Sequence, residues 1–288
     1  MPFGRILVPV YDARLLELKL AHALQVAVRF HSKIEVIFVH GAIDPTVVES
    51  DPIFNDKALE MAEENWDRER PSADAVAALV RKWAAEMGVR SQGTEADDAR
   101  SCCVGILTNQ GASNLEGQAR ASDLIVIGQP DRGTTHQEQQ LNKTLLMMSG
   151  RPILIVPAKA ETWQSMFDHA ILAWDGGLQI SRTVGLTMPL LESCTQVTVF
   201  RSMEPGQSAS VEEEVLECLR CNGISARYKI ETHGSSRIAS SLLTHAHETK
   251  ATLICMGAYS NPRTMEILIG GNTQHIYHHS AFPVLIST

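Results

Sequence analysis

The chain has 288 residues, 44% of them hydrophobic and 20% charged, which is ample apolar material for more than one core. A formal net charge of −8 with no basic stripe to offset it argues against a nucleic-acid or anionic-membrane partner. No apolar run approaches the ~20 residues needed to span a bilayer, no leader-like segment opens the chain, and six cysteines lack framework spacing, so a reducing cytoplasmic location is the default expectation.

The first element is an apolar strand, Arg5-Ile6-Leu7-Val8-Pro9-Val10, followed by a helix over 15–30 and a strand over 34–39. A polar, Pro-marked segment covers 44–56. Helical patterns run through Trp66 and over 72–87, where Ala75, Leu79, Val80 and Trp83 recur at spacings of 3 to 4 and predict one apolar face. Ser72, after Pro71, is placed to cap the second of these helices. A strand is expected over 89–96, whereas 97–117, rich in small polar residues, carries no assignable pattern. A polar linker occupies 157–167.

The second half opens with the strand His169-Ala170-Ile171-Leu172-Ala173-Trp174. A helix over 181–191, a strand over 196–200, a loop through Pro205-Gly206 and a helix over 211–221 follow. Then come a strand over 226–231, a helix over 235–249, the apolar run 252–256, a last helix and a strand over 284–287. The halves repeat. Ala121-Ser122-Asp123-Leu124-Ile125-Val126-Ile127-Gly128 matches Lys250-Ala251-Thr252-Leu253-Ile254-Cys255-Met256-Gly257, and Pro152-Ile153-Leu154-Ile155 matches Pro283-Val284-Leu285-Ile286. Alternating strands and helices in two copies predict an α/β chain of two tandem, open, doubly wound parallel-sheet domains of about five strands each.

Met256-Gly257-Ala258-Tyr259-Ser260 leaves a buried strand, and Gly270-Gly271-Asn272-Thr273 follows nine residues later at a helix start. Such a loop presents backbone N–H groups to a phosphate. Gly after a strand is also the ordinary way to turn a chain; its place at the carboxyl end of a parallel strand favours a ligand site.

These residues resemble the universal stress protein family in its tandem form. The likeness is carried by the opening Ile-Leu-Val-Pro-Val, by Asp175-Gly176-Gly177, by Met-Gly-Ala-Tyr-Ser with Gly-Gly nine residues on, and by the closing Tyr-His-His-Ser-Ala-Phe-Pro-Val-Leu-Ile. It covers 168–288 strongly and 1–157 more loosely, and implies an adenine nucleotide alpha hydrolase-like fold. It also implies a cytoplasmic, stress-linked regulatory role as a homodimer or an intramolecular pseudo-dimer of the two domains. The family motif G-x2-G-x9-G-[ST] wraps nucleotide phosphates. By resemblance Asp175 contacts the nucleoside, the backbone of Phe200 or Arg201 reads adenine, and Met256, Gly257, Ser260, Gly270, Gly271 and Asn272 line the phosphates of AMP, ADP or ATP, with Mg²⁺ left open. Ser260 replaces the second glycine and Gly271 the motif's hydroxyl.

In the first half Tyr11 stands where Asp175 stands, with Asp12 one step later. Its loop, Gly128-Gln129-Pro130-Asp131-Arg132, continues into Glu138-Gln139-Gln140; the Pro lacks an N–H and Asp131 and Glu138 repel phosphate, so this half reads as a scaffold or dimerisation partner.

His275 and His279 share a helix face, as zinc pairs do, but no third ligand is evident; His245 and His247 point to different faces. Cys218 and Cys221 have CxxC spacing late in a helix rather than at its start. Trp174 is adenine platform or core, and Arg263 phosphate clamp or exposed helix-start residue. No Walker loop, nucleophile elbow or HExxH helix occurs. Nucleotide binding with little turnover is therefore the main expectation. The alternatives are a slow ATPase or metal-dependent hydrolase using the C-terminal histidines, and a nucleotide-free scaffold.

Overall fold

A computed structural model describes residues 3–39, 72–92, 103–110, 112–159, 165–203, 212–232, 238–258 and 271–288. The helix expected before Trp66 and the loop at Pro205-Gly206 lie outside them. The chain divides into two compact units, one of Met1–Val126 with Thr134–Ser149 and the other of Ile127–Gly133 with Gly150–Thr288.

In the first unit the order is β1 (Arg5–Val10), α1 (Leu16–Phe30), β2 (Lys33–Val39), α2 (Ala73–Glu86), β3 (Arg90–Gln92), β4 (Cys103–Gln110), α3 (Ala112–Arg120), β5 (Leu124–Gly128), whose last two residues belong to the other unit, and α4 (His136–Met148). The strands lie side by side as β3-β4-β2-β1-β5, all parallel. Burial of β1 from Ile6 through Val10 is what a strand covered on both faces requires, and explains why its sequence is an unbroken apolar run.

Two expectations change. Ser72 does cap α2, its hydroxyl accepting from Ala75 N–H at 3.2 Å. The buried stripe of α2, however, is Val76, Ala77, Val80, Trp83 and Ala84, while Ala75 and Leu79 face solvent. Within 97–117, β4 and α3 are regular elements, and α3 is anchored by buried Leu115 and Ala119, four residues apart.

The second unit contains β6 (Ile153–Val156), β7 (His169–Ala173), α5 (Leu178–Glu192), β8 (Gln196–Met203), α6 (Glu212–Cys221), β9 (Ala226–Thr232), α7 (Ile238–Glu248), β10 (Leu253–Gly257), α8 (Asn272–His279) and β11 (Val284–Ser287). Its strand order is β6-β11-β10-β7-β8-β9, parallel except where β6 runs antiparallel to β11. From β7 the chain steps outward through β8 to β9, then returns to the other side of β7 for β10. The topological switch point, and with it a crevice at the carboxyl edge, therefore falls between β7 and β10. The first unit repeats the device between β1 and β5. Among the described residues no helix is long and apolar enough to cross a membrane.

Candidate functional site

Asp175 sits two residues beyond β7, exposed at the mouth of the second unit's crevice. Its Oδ1 accepts from Gly177 N–H at 2.8 Å, a turn that leads into α5. Gly177 is the N-cap of α5 and supplies no side-chain cap, so the Asp175 carboxylate is the polar group fixed at this entry. Trp174 is half-buried; its N–H donates to Phe200 O at 2.8 Å, and its Nε1 is buried without a partner among the described residues.

Phe200 and Arg201 behave differently from one another. The Phe200 side chain is fully buried and stacks on His245, with ring centroids 5.3 Å apart, and its carbonyl is already taken by Trp174. Arg201 points to the opposite face of the sheet. The ladder between β7 and β8 ends at Ala173↔Phe200, while β8 continues to Met203 against β9. Backbone groups directed toward β7 recur every second residue, so the position that presents them beyond the last rung is Ser202. Sequence reasoning missed Ser202; counting two on from Phe200 finds it. Its hydroxyl is buried with no partner among the described residues.

Met256 and Gly257 close β10. Thr183 of α5 donates its hydroxyl to Met256 O at 3.2 Å. A Cβ on Gly257 would lie 2.6 Å from Ile180 N and 2.9 Å from Gln179 Cβ, so the first turn of α5 is packed directly against this glycine. At the far end of the motif Gly271 precedes α8 with φ of 144°, a conformation open to glycine and costly for other residues. A serine at this place, as the family motif has it, would be strained. Asn272 Oδ1 accepts from Ala239 N–H at 3.1 Å, using its carboxamide to tie the start of α7 to the start of α8. Ser260, Arg263 and Gly270 lie outside the described residues.

The first unit corrects one alignment. Asp12, two residues past β1, accepts from Arg14 N–H at 2.9 Å, the same turn that Asp175 makes with Gly177. Asp12 is thus the counterpart of Asp175, and buried Tyr11 the counterpart of Trp174. Gln129, which stands in place of a phosphate-loop residue, is buried in the second unit. There its Nε2 donates to Ser280 O at 2.9 Å and its Oε1 accepts from Ala158 N–H at 3.0 Å.

The remaining constellations carry little chemistry. His275 and His279 do share a face, with ring centroids 4.7 Å apart, but no group of three or more His, Cys, Asp or Glu placed to hold an ion occurs among the described residues. His245 is buried and His247 exposed, on different faces as expected. Cys218 and Cys221 are exposed, and a hydrogen bond to Glu217 pushes the Cys221 thiol up, away from the reactive thiolate.

No family model and no curated protein matches the sequence. Solved structures do match. A universal stress protein from Archaeoglobus fulgidus DSM 4304 gives a TM-score of 0.64 at 17% identity, with 99% of this chain and 98% of that chain covered. A functionally unknown protein from Pseudomonas aeruginosa PAO1 gives 0.56 at 15% identity, covering 99% and 92%. A provisionally assigned universal stress protein from Pseudomonas aeruginosa UCBPP-PA14 gives 0.54 at 16% identity, covering 99% and 93%. At these identities the likeness is one of fold: along its whole length the chain has the architecture of universal stress proteins.

Proposed function

We propose that this chain is a tandem universal stress protein that binds one adenine nucleotide, AMP, ADP or ATP, in the crevice of its second unit. In this reading it is a stress-linked regulatory binding protein with little or no turnover. Residues 168–288 hold the nucleotide, and 1–157 do not. The observation that carries this reading is convergence at one topological switch point of an anchored, exposed carboxylate (Asp175), an unladdered backbone edge (Ser202) and glycines at both described ends of the phosphate motif (Gly257 and Gly271). Asp175 accepts from nucleoside donors, Ser202 offers its backbone to the adenine edge, and the start of α8 faces the phosphates. Gly270 joins the phosphate contacts by resemblance to the family; Ser260, which replaces the motif's second glycine, and Arg263, by its place in the sequence near the loop, are counted with them.

Calorimetric titration with AMP, ADP and ATP tests this, alongside mass spectrometry of small molecules released on denaturation. One site per chain is expected. Two equal sites, or no heat and no released nucleotide, would defeat the reading.

A further inference from the structure

Two histidines of α8 are spaced to share one ion. His275 and His279 are both exposed, with ring centroids 4.7 Å apart and ring planes inclined by 53°. Their i, i+4 separation sets the Cβ atoms about 5–6 Å apart on one face, so the side chains reach a common point. Exposed rings also turn about χ2, which lets each present a nitrogen there.

The ring spacing can be compared with what coordination requires. An ion bound to an imidazole nitrogen lies about 2.0–2.1 Å from it, and hence about 3.2 Å from the ring centre. Two rings sharing that ion, at angles from roughly 90° in square or octahedral geometry to roughly 109° in a tetrahedron, have centres about 4.5–5.2 Å apart. The observed 4.7 Å falls inside this interval. His278 does not join them, because its ring lies 6.3 Å from that of His279 and sequence neighbours on a helix do not face each other.

The setting favours a cation. His279 is the last residue of α8, where helix carbonyls leave partial negative charge, and the chain as a whole carries a formal net charge of −8. Among the described residues no third His, Cys, Asp or Glu completes a cluster, so water or an outside ligand fills the remaining positions, as in open metal sites.

We infer that His275 and His279 form a two-imidazole chelate for one divalent transition ion, Zn²⁺, Ni²⁺ or Cu²⁺, on the exposed face of α8. Imidazole suits these ions, whereas Mg²⁺ and Ca²⁺ require oxygen donors. The inference rests on α8 alone and is independent of any nucleotide in the second unit.

The test uses the full, untagged chain in a Cys218→Ser, Cys221→Ser background, which removes two exposed thiols as competing ligands. Equilibrium dialysis against Ni²⁺ and melting with and without Ni²⁺ are carried out without added nucleotide, at mildly alkaline pH where imidazole is unprotonated. This parent is compared with His275→Ala, His279→Ala and His278→Ala, each measured against its own ion-free melt. The parent binds one Ni²⁺ saturably and melts higher with it, and Cu²⁺ binds more tightly still. Loss of either His275 or His279 removes the intramolecular second contact, weakens binding about a hundredfold and abolishes the rise in melting temperature. His278→Ala binds as the parent does. A parent with no saturable site, a rise that persists in His275→Ala or His279→Ala, or a loss in His278→Ala as large as in those two overturns the inference.

Discussion

At Gly257 the smallest side chain is required by packing before any ligand is considered. A methyl group there meets backbone nitrogen of Ile180 at 2.6 Å, and backbone cannot swing aside as a flexible side chain can. Gly257→Ala should therefore destabilise the second unit by about 1–3 kcal/mol, the usual range for overpacking, and weaken nucleotide binding by shifting the entry to α5. An unchanged melting temperature would show that the strand and helix are not in that contact. Asp175 poses the opposite case, an exposed residue whose removal should cost little stability. Asp175→Ala loses the acceptor for nucleoside donors at about 1–3 kcal/mol, roughly ten- to a hundredfold in affinity. It also loses the turn to Gly177, so Asp175→Asn, which retains an Oδ1 acceptor for that turn, separates the two roles. If both variants bind nucleotide as the parent does, Asp175 is not in the site.

Element by element, what could be read in the sequence is what local patterning controls. Strands β1, β2, β7 and β11 are short apolar runs, and the apolar stripes of α1 and α2, with the Ser72 cap of α2, set their limits within a residue or two. The stripe of α2 was misplaced because Ala75 and Leu79 fit the helical period as well as Val76 and Ala77 do, and only the packed sheet chooses between them. Strand β4 escaped because Gly105 and the run Thr108-Asn109-Gln110 dilute its apolar signal; α3 escaped because, among its described side chains, only Leu115 and Ala119 are buried. The antiparallel pairing of β6 with β11 joins residues some 130 apart, and no local signal encodes it. Gln129 shows the same limit at the site. It replaces a loop residue of the phosphate motif because it bridges Ala158 and Ser280, which no sequence spacing announces. Gln129→Leu leaves a buried carbonyl and a partly buried amide unpaired, at about 1–3 kcal/mol. A lower melting temperature and faster amide exchange around residues 280–282 are expected; wild-type values for both would mean that the bridge contributes nothing.

For the whole molecule, histidines make stability depend on pH in a direction that can be worked out. His22, His169 and His245 are buried, and burial lowers each below the ordinary value of 6.5. His169 is the most constrained. The Thr249 carbonyl can only accept, at 3.3 Å, so Nδ1 carries the proton and Nε2 accepts from the Thr198 hydroxyl at 2.8 Å. This network joins β7, β8 and the end of α7 around a neutral ring. In the unfolded chain the same histidines take up protons near 6.5, while the folded chain resists doing so; the unfolded state thus binds more protons, and stability is lost as pH falls below about 6.5. Glu138 acts with the opposite sign, since its raised carboxyl makes the folded state bind more protons, but its window opens upward from about 4.5. Denaturant titrations between about pH 7.5 and pH 5.5 should therefore show falling stability, at up to about 1.4 kcal/mol for each unit by which a histidine is depressed. His169→Gln should lower stability at neutral pH, because its network is broken, and flatten the slope, because one depressed group is gone. A parent chain as stable at pH 5.5 as at pH 7.5, or a variant with the parent's slope, would mean that these rings are protonated without penalty and that neutral histidine is not what holds β7 to its neighbours.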